Sequence, residues 1–513
     1  MQSRWLKPLR ATVACVMLAF VLAAFADFRG QVPPALAHGL ASIQFVPSMV
    51  ALLTGASIAL AGLFILVITL LIGRIYCSAI CPLGILQDVI SRGARWFSRK
   101  RKRLPFSQKH TRLQLVFLGI CIVGILIGWT GFTLSLLDPY SIFGRIGSSL
   151  VRPVVTLINN SLVGIGNAMG IDSMYRVDPQ WAGAGALALP LLMFIVIFVL
   201  AFFRGRLYCN TVCPVGTLLG FLSKKSFLRL EIDKDRCRKC ANCLQVCKAQ
   251  CIDLKAGTID FSRCVDCFNC VGVCTEKAIG FRSPRKKAAA PAPLPVHQDV
   301  PDPQRRKFVA DAVVFTGLLG TGLGVAEKAE KRLPITPPGS SSVERFLNRC
   351  TACQLCISVC PSHVLKPAFL EYGILGMMKP QMDYNYSFCN YDCIQCGQVC
   401  PDGAISQLVL EKKQITRIGN AHLDLTKCIV KVKGKDCAAC SEHCPTKAVN
   451  TIPYGNNLRL PEVNDDLCIG CGACQYACPA AAITVEGLPV HEQAKKEVEK
   501  KAEKPKMSGD FPF

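Results

Sequence analysis

Six quartets of cysteine constrain this chain more tightly than any other feature of it. Cys237, Cys240, Cys243 and Cys247 have the spacing C-x2-C-x2-C-x3-C, and Cys264, Cys267, Cys270 and Cys274 repeat it. Cys350, Cys353, Cys356 and Cys360, then Cys468, Cys471, Cys474 and Cys478, follow the same rule and end in Pro361 and Pro479. Cys389, Cys393, Cys396 and Cys400 widen the first gap by one residue. Cys428, Cys437, Cys440 and Cys444 widen it much further; both altered motifs keep the proline, as Pro401 and Pro445. Three thiolates on one tight loop grip a [4Fe–4S] cube, and in paired clusters the fourth cysteine crosses to the other cube. One cube is then expected on Cys237, Cys240, Cys243 and Cys274, its partner on Cys264, Cys267, Cys270 and Cys247. A longer first gap still presents four thiolates, so four more cubes follow, with the exchange among them left open. Structural zinc draws on two separated cysteine pairs, and disulfide frameworks scatter their cysteines. Lys248 and Thr275 replace the proline in the first pair of motifs, which leaves a retuned potential and neutral drift both open.

A hydrophobic share of 51 % with only 18 % charged residues places part of the 513-residue chain in lipid and leaves room for two or three domains. Four apolar runs, near 11–26, 50–73, 113–137 and 181–203, reach the about 20 residues that a bilayer span needs. The first follows Arg4, Lys7 and Arg10 as a signal peptide would, but no small-residue cleavage site comes after it, so it reads as a retained helix. The formal charge is +24, and much of its early part is packed between Arg92 and Arg112, a stretch with no acid. Between two apolar runs this block reads as a cytoplasmic loop. A nucleic-acid patch is the weaker reading, since no recognition motif accompanies it. Residues 138–180 set Asp138, Asp172 and Asp178 against Arg145, Arg152 and Arg176, a balance suited to an outer loop.

The expected fold class is multi-domain: an α-helical membrane domain with four spans, or five, and two α+β ferredoxin-like domains. Residues 1–230 are the membrane domain and 231–283 a cytoplasmic two-cluster domain. Residues 284–304 are a Pro/Ala linker that cannot pack a core. Residues 345–486 are a four-cluster domain, and 487–513 a charged tail expected to be disordered. Arg305-Arg306-Lys307-Phe308-Val309 opens a segment, 305–326, that resembles a twin-arginine leader for export of folded protein. An uncleaved leader becomes an anchor; a surface helix is the other option, because Asp311 is costly in lipid. Export after cluster assembly would spare the thiols from oxidation and would make the four-cluster domain periplasmic.

GRIYCSAICPLG at 73–84 returns as GRLYCNTVCPVG at 205–216, each just past an apolar run. Cysteines four apart share a helix face, while the proline marks a break or a helix start. Cys77, Cys81, Cys209 and Cys213 are therefore expected to converge. They would hold a further cluster or metal, form a redox-active dithiol, or pack as small hydrophobes. The duplicated surroundings argue against the last. Cys15, Cys121 and Cys251 match no motif and read as packing residues.

Residues 1–283, with their spans, two C-x3-C-P motifs and paired clusters, resemble the NapH membrane ferredoxins. Residues 305–486, with a twin-arginine-like leader and four motifs, resemble the NapG ferredoxins. The chain thus looks like a fusion of the two. The methylamine-utilisation ferredoxins MauN and MauM are similar, and nitrous-oxide-reduction and cupric-reductase membrane proteins share the first-half motifs. The resemblance implies a bacterial inner-membrane quinol dehydrogenase module that takes electrons from menaquinol or ubiquinol to a periplasmic cytochrome or reductase, as in anaerobic respiration. It does not settle what the C-x3-C-P cysteines ligate.

Iron–sulfur clusters move single electrons. The sequence has no C-x-x-C-H haem site and no glycine-rich dinucleotide fingerprint, so the chain reads as a relay with no catalytic residues of its own. Electron supply for maturing a periplasmic metalloenzyme is the alternative, and redox sensing a third that lacks a DNA-binding motif. His38, His110 and Asp88 are weak candidates as proton acceptors.

Overall fold

The computed structural model describes residues 5–53, 60–97, 110–170, 175–179, 181, 183–282, 333–455 and 458–495. The expected linker, the twin-arginine-like segment and residues 496–513 lie outside the described residues.

The membrane-facing body consists of helices α1 (Leu6–Ala26), α2 (Pro34–Ser42), α3 (Phe45–Leu53), α4 (Leu60–Leu71), α5 (Tyr76–Ala79), α6 (Pro82–Phe97) and α7 (Thr111–Leu126). It continues with α8 (Thr130–Leu137), α9 (Pro139–Ile146), α10 (Arg152–Ala168), α11 (Ala184–Arg204), α12 (Leu207–Thr211) and α13 (Pro214–Ser223). A π-helical turn, Gly147–Val151, joins α9 to α10. Among the described residues α1, the run Pro139–Ala168 and α11 are long and apolar enough to cross a membrane; α2 and α3, bent by 88°, make a fourth if they are one broken span. Phe64, Val67, Leu192 and Val199 lie exposed, as side chains facing lipid do.

The runs at 11–26 and 181–203 became α1 and α11, and the other two expectations need correction. The run at 50–73 is divided between α3 and α4, with residues 54–59 outside the description. The run at 113–137 breaks between α7 and α8, where Gly128 takes φ +85. Residues 138–180, expected as an outer loop, contain the 30-residue helical run. Three charges concealed it from a hydropathy reading, and all three are buried with partners. Asp138 caps α9 by accepting from the amides of Tyr140 and Ser141. Arg145 donates to the Ser135 carbonyl, and Arg152 to the Ile357 carbonyl at 3.2 Å.

Two lobes attach to this body. In the first, β1 (Arg229–Ile232) pairs antiparallel with β4 (Ile279–Arg282), around the hairpin of β2 (Ile252–Asp253) and β3 (Thr258–Ile259). In the second, β5 (Leu365–Pro367) pairs with β6 (Pro380–Met382). There β7 (Thr416–Leu423) pairs with β10 (Ile483–Gln493), and β8 (Val449–Tyr454) with β9 (Leu458–Val463). The start of the expected tail is therefore strand: β10 runs through Gly487 to Gln493, and the Gly487 amide donates to the Leu333 carbonyl at 3.0 Å. Period-2 pairing outweighs the charge there, because Glu492 meets Arg417 at 3.5 Å across the register.

The lobes dock at opposite ends of α1, whose 21 residues span roughly 30 Å at about 1.5 Å each. Lys7, the second residue of α1, packs on Gly272 of the first lobe. Phe25, one residue before its end, accepts from Ser358 of the second lobe at 3.2 Å. Contact with the second lobe is close enough to need glycine: a Cβ on Gly144 would sit 2.2 Å from the Cys353 carbonyl oxygen. Gly144→Ala is therefore expected to loosen the second lobe by about 1–3 kcal/mol. Faster amide hydrogen exchange confined to residues 353–358 and their neighbours is the readout.

Candidate electron-transfer centres

Backbone strain recurs at the same places in the cysteine loops. In the four regular motifs the second and fourth residues after the first cysteine are left-handed: Lys239 and Ala241, Asp266 and Phe268, Ala352 and Gln354, Gly470 and Gly472. The third residue after the last cysteine is left-handed in all six motifs, at φ 47 to 61: Gln250, Lys277, His363, Gly403, Lys447 and Ala481. Such residues cost about 1–2 kcal/mol each outside glycine and turn successive N–H groups inward as an anion cradle. The amides of Ala278, Ile405 and Ala482 point at Cys274, Cys400 and Cys478 sulfurs, at 3.2, 3.4 and 3.2 Å. In the widened motifs Ile394 and Ala438 sit at φ −126 and −116 where regular motifs are left-handed. The longer gap removes the need for the second strained turn.

The fold settles which sulfurs meet. Cys237, Cys240, Cys243 and Cys274 line one cavity, and Cys247 lies within electrostatic reach of Cys264, Cys267 and Cys270. That is the crossing expected from the spacing. In the second lobe Cys400 lies by Cys350, Cys353 and Cys356, and Cys360 by Cys389, Cys393 and Cys396. Cys444 lies by Cys468, Cys471 and Cys474, while Cys478 shares a cavity with Cys428, Cys437 and Cys440. Neighbouring motifs in the chain thus trade their last cysteines in pairs. Burial raises the Cys350 thiol to about 12 and the Cys400 thiol to about 11, so a bound cation is what would draw off their protons. Among the described residues no three His, Cys, Asp or Glu close on a single metal ion. Four soft donors in an amide cradle fit a many-atom iron–sulfur group.

The duplicated motif forms one site. In each copy the first cysteine is on a short helix, α5 or α12, and the second directly precedes the proline that starts α6 or α13. The chain breaks between them, so the pair does not share one helix face; the proline reading was the correct one. Cys81 and Cys213 each accept the amide of the glycine three residues on, Gly84 and Gly216, the latter at 3.3 Å. Both thus face helix N-termini, which favour negative charge. Cys77, Cys81, Cys209 and Cys213 all lie within electrostatic reach of one another. The arginines cross over: Arg74 of the first copy donates to the Cys209 carbonyl at 3.4 Å, and Arg206 of the second to the Cys77 carbonyl at 2.7 Å. Arg74 also reaches the Cys77 sulfur at 3.9 Å, and Gln87 the Cys209 sulfur at 3.2 Å.

This centre has neighbours on both sides. Arg74 donates to the Ser262 carbonyl of the first lobe at 2.9 Å, two residues before Cys264. Toward the second lobe, Tyr208 lies within electrostatic reach of Cys209, Cys213, Asp138 and Arg145, and Arg145 of Cys353. The Tyr208 hydroxyl, Gln87 Oε1 and two N–H groups of Arg145 are buried without hydrogen-bond partners.

Asp88 joins the body to the first lobe. It pairs with Arg206 and Lys248 at 2.8 and 2.9 Å and with Arg10 at 3.6 Å. Burial pushes the carboxyl up, but Arg206 and then Lys248 outweigh it and hold it at about 2. Its three cationic partners favour the ionised form. Lys248, where the four second-lobe motifs carry proline, is thus a structural plug. His38 is half-buried with Nδ1 unpartnered, and His110 is exposed ahead of α7.

A 4Fe-4S binding domain family matches residues 54–103, 187–232 and 396–417, a second 4Fe-4S binding domain family matches 461–484, and a 4Fe-4S dicluster domain family matches 260–364. Together with the cysteine loops, they define an iron–sulfur electron-transfer protein of the ferredoxin type. Ferredoxin-type protein NapG of Escherichia coli (strain K12) is 31 % identical over 208 residues, 37 % of this chain and 87 % of NapG. Methylamine utilization ferredoxin-type protein MauM of Methylorubrum extorquens is 30 % identical over 201 residues, 36 % of this chain and 90 % of MauM. Ferredoxin-type protein NapF of Escherichia coli (strain K12) is 29 % identical over 157 residues, 31 % and 87 % of the two chains. No solved structure matches. The chain belongs to the NapG and MauM family of ferredoxin-type proteins.

Two outcomes follow. The double variant Cys350→Ala/Cys400→Ala is expected to lose about four irons, because both sulfurs serve one cube; without exchange it would lose about eight. Asp88→Asn leaves three buried cations short of a counter-charge and is expected to destabilise the protein by about 3–5 kcal/mol, read as a lowered Tm in detergent.

Proposed function

We propose that this protein carries electrons across a bacterial inner membrane through six [4Fe–4S] clusters and a further metal–sulfur centre at the duplicated motif. The cubes are assigned to the six sulfur groups described above, two in the first lobe and four in the second. The observation that carries this reading is the placement of the lobes at opposite ends of a membrane-length helix, with the four repeat thiols between them. Two ferredoxin lobes on one face would need no such centre.

Charge supports a negatively charged group there. Arg10, Arg74, Arg206 and Lys248 are all buried on this side of the body. Asp88 serves three of them, and the buried Asp266 faces Arg74. Buried cations in excess of their partners are costly, and thiolates held by a metal would balance them. Bound clusters supply one-electron storage, with potentials set by hydrogen bonds, charge and burial. The chain itself fixes the sulfurs in strained loops, aims amides and two guanidinium groups at them, and surrounds them with apolar side chains that exclude water.

The resemblance to NapH and NapG chains supports quinol as the electron source, the second lobe as periplasmic and a periplasmic cytochrome or reductase as acceptor. Each quinol gives up two electrons and two protons, and the one-electron centres then divide the pair. The protein purified anaerobically is expected to contain about 28 irons, about 24 in six cubes and the rest at the duplicated motif, and to be reduced by a menaquinol or ubiquinol analogue. Cys77→Ala/Cys209→Ala should keep about 24 irons but lose quinol-driven reduction of the lobe that the quinol does not reach. Reduction of both lobes at the wild-type rate in that variant would sink the transmembrane role of the centre.

A further inference from the structure

Cys251 was expected to be a packing residue, and its position says otherwise. It is the fourth residue after the last cysteine of its motif. The same position in the other five motifs holds Ala278, Val364, Ala404, Ala448 and Ala482, all buried and all apolar. The backbone amide there points back at the preceding cysteine: Ala278 to Cys274 and Ala482 to Cys478, each at 3.2 Å. The Cys251 amide likewise bonds Cys247. One motif in six therefore adds a thiol where the rest carry hydrocarbon.

That thiol is 1 % exposed, among Ile252, Phe261 and Val265 in the core of the first lobe. Its sulfur lies 3.6 Å from Cys247 Sγ and within hydrogen-bond reach of the Cys264 sulfur. Both neighbours belong to one sulfur group, Cys264, Cys267, Cys270 and Cys247. That group faces the membrane body: Cys267 is within electrostatic reach of Lys248 and Asp88, and Ser262 accepts from Arg74. Cys237, Cys240, Cys243 and Cys274 lack such a thiol.

We propose that Cys251 is a non-ligating positioning residue that donates its S–H to the ligand sulfurs of this one cluster and raises its reduction potential. The inference rests on the ligand assignment given under the proposed function. A reduced cluster carries one more negative charge, so a donor to its thiolates stabilises the reduced form more than the oxidised form. No bond is made or broken and no proton leaves the sulfur. The consequence is that an electron is held more firmly on the cluster beside the duplicated motif than it would be without this donor.

The test uses full-length protein, prepared anaerobically, as wild type, Cys251→Ala, Cys251→Val and Cys251→Ser, with iron content and an EPR-monitored redox titration. Alanine and valine are the residues that the other motifs carry, so both are expected to fold and to keep the full iron content. Both should shift one cluster's midpoint downward and leave the others in place; serine, which keeps a donor, should restore it at least in part. Unchanged midpoints in both the alanine and valine variants overturn the proposal. So does loss of about four irons from either, since Cys251 would then be a ligand. Cys264→Ala is the separate control: it should abolish the shifted signal together with about four irons. Failure of that control would overturn the ligand assignment, independently of the Cys251 result.

Discussion

Buried positive charge is the constraint on which this structure turns. Arg74 and Arg206 cross between the two copies of the duplicated motif, and Arg206 joins Lys248 and Arg10 on Asp88. Taking an ion out of water costs several kcal/mol unless partners replace the lost hydration. Every element that supplies a partner is therefore held in place. Through Asp88, α6 is tied to α1, to α12 and to the first lobe, and through Arg74 the body is tied to the loop that precedes Cys264. The four thiols of the repeat sit inside this frame, in a location that rewards negative charge.

Close approach of backbones is the second device. Gly84 and Gly216 let α6 and α13 pass over the short helices that carry Cys77 and Cys209, where a Cβ would come within 2.3 and 2.1 Å of those cysteines' carbonyl oxygens. At the other end of the body, Gly131 and Gly144 admit the second lobe in the same way. Small residues at these four places bring charge-handling groups together without intervening side chains. The cysteine loops use the opposite strategy. They accept left-handed strain at non-glycine residues, because the cradle of amides that results is worth more than the strain it costs.

The repeat of Gly-Arg-x-Tyr-Cys-x3-Cys-Pro-x-Gly encodes both devices, and each of its residues has a place in the structure. Tyr76 donates to Gln44 at 3.1 Å and accepts from the Phe45 amide at 3.0 Å, which anchors the bend between α2 and α3. Tyr208 instead approaches Arg145 and Asp138. The two copies are thus alike in backbone and different in what their tyrosines reach, one toward the bent helix pair and the other toward the second lobe.

Spacing alone carried the cluster motifs, the crossing of Cys247 and Cys274, and the convergence of the four repeat cysteines, because those properties depend on how far a short loop reaches. Hydropathy found α1 and α11 for the same local reason. It missed the helical run from Pro139, since Asp138, Arg145 and Arg152 look like solvent charges until folding sets them against the cap at Ser141, the Ser135 carbonyl and, from the second lobe, the Ile357 carbonyl. The pairing of the four second-lobe motifs, the plug formed by Lys248 and the thiol of Cys251 beside Cys247 were likewise invisible. Each depends on which surfaces meet after folding, and a linear pattern records residue types but not the contacts that decide what a buried charge or thiol does.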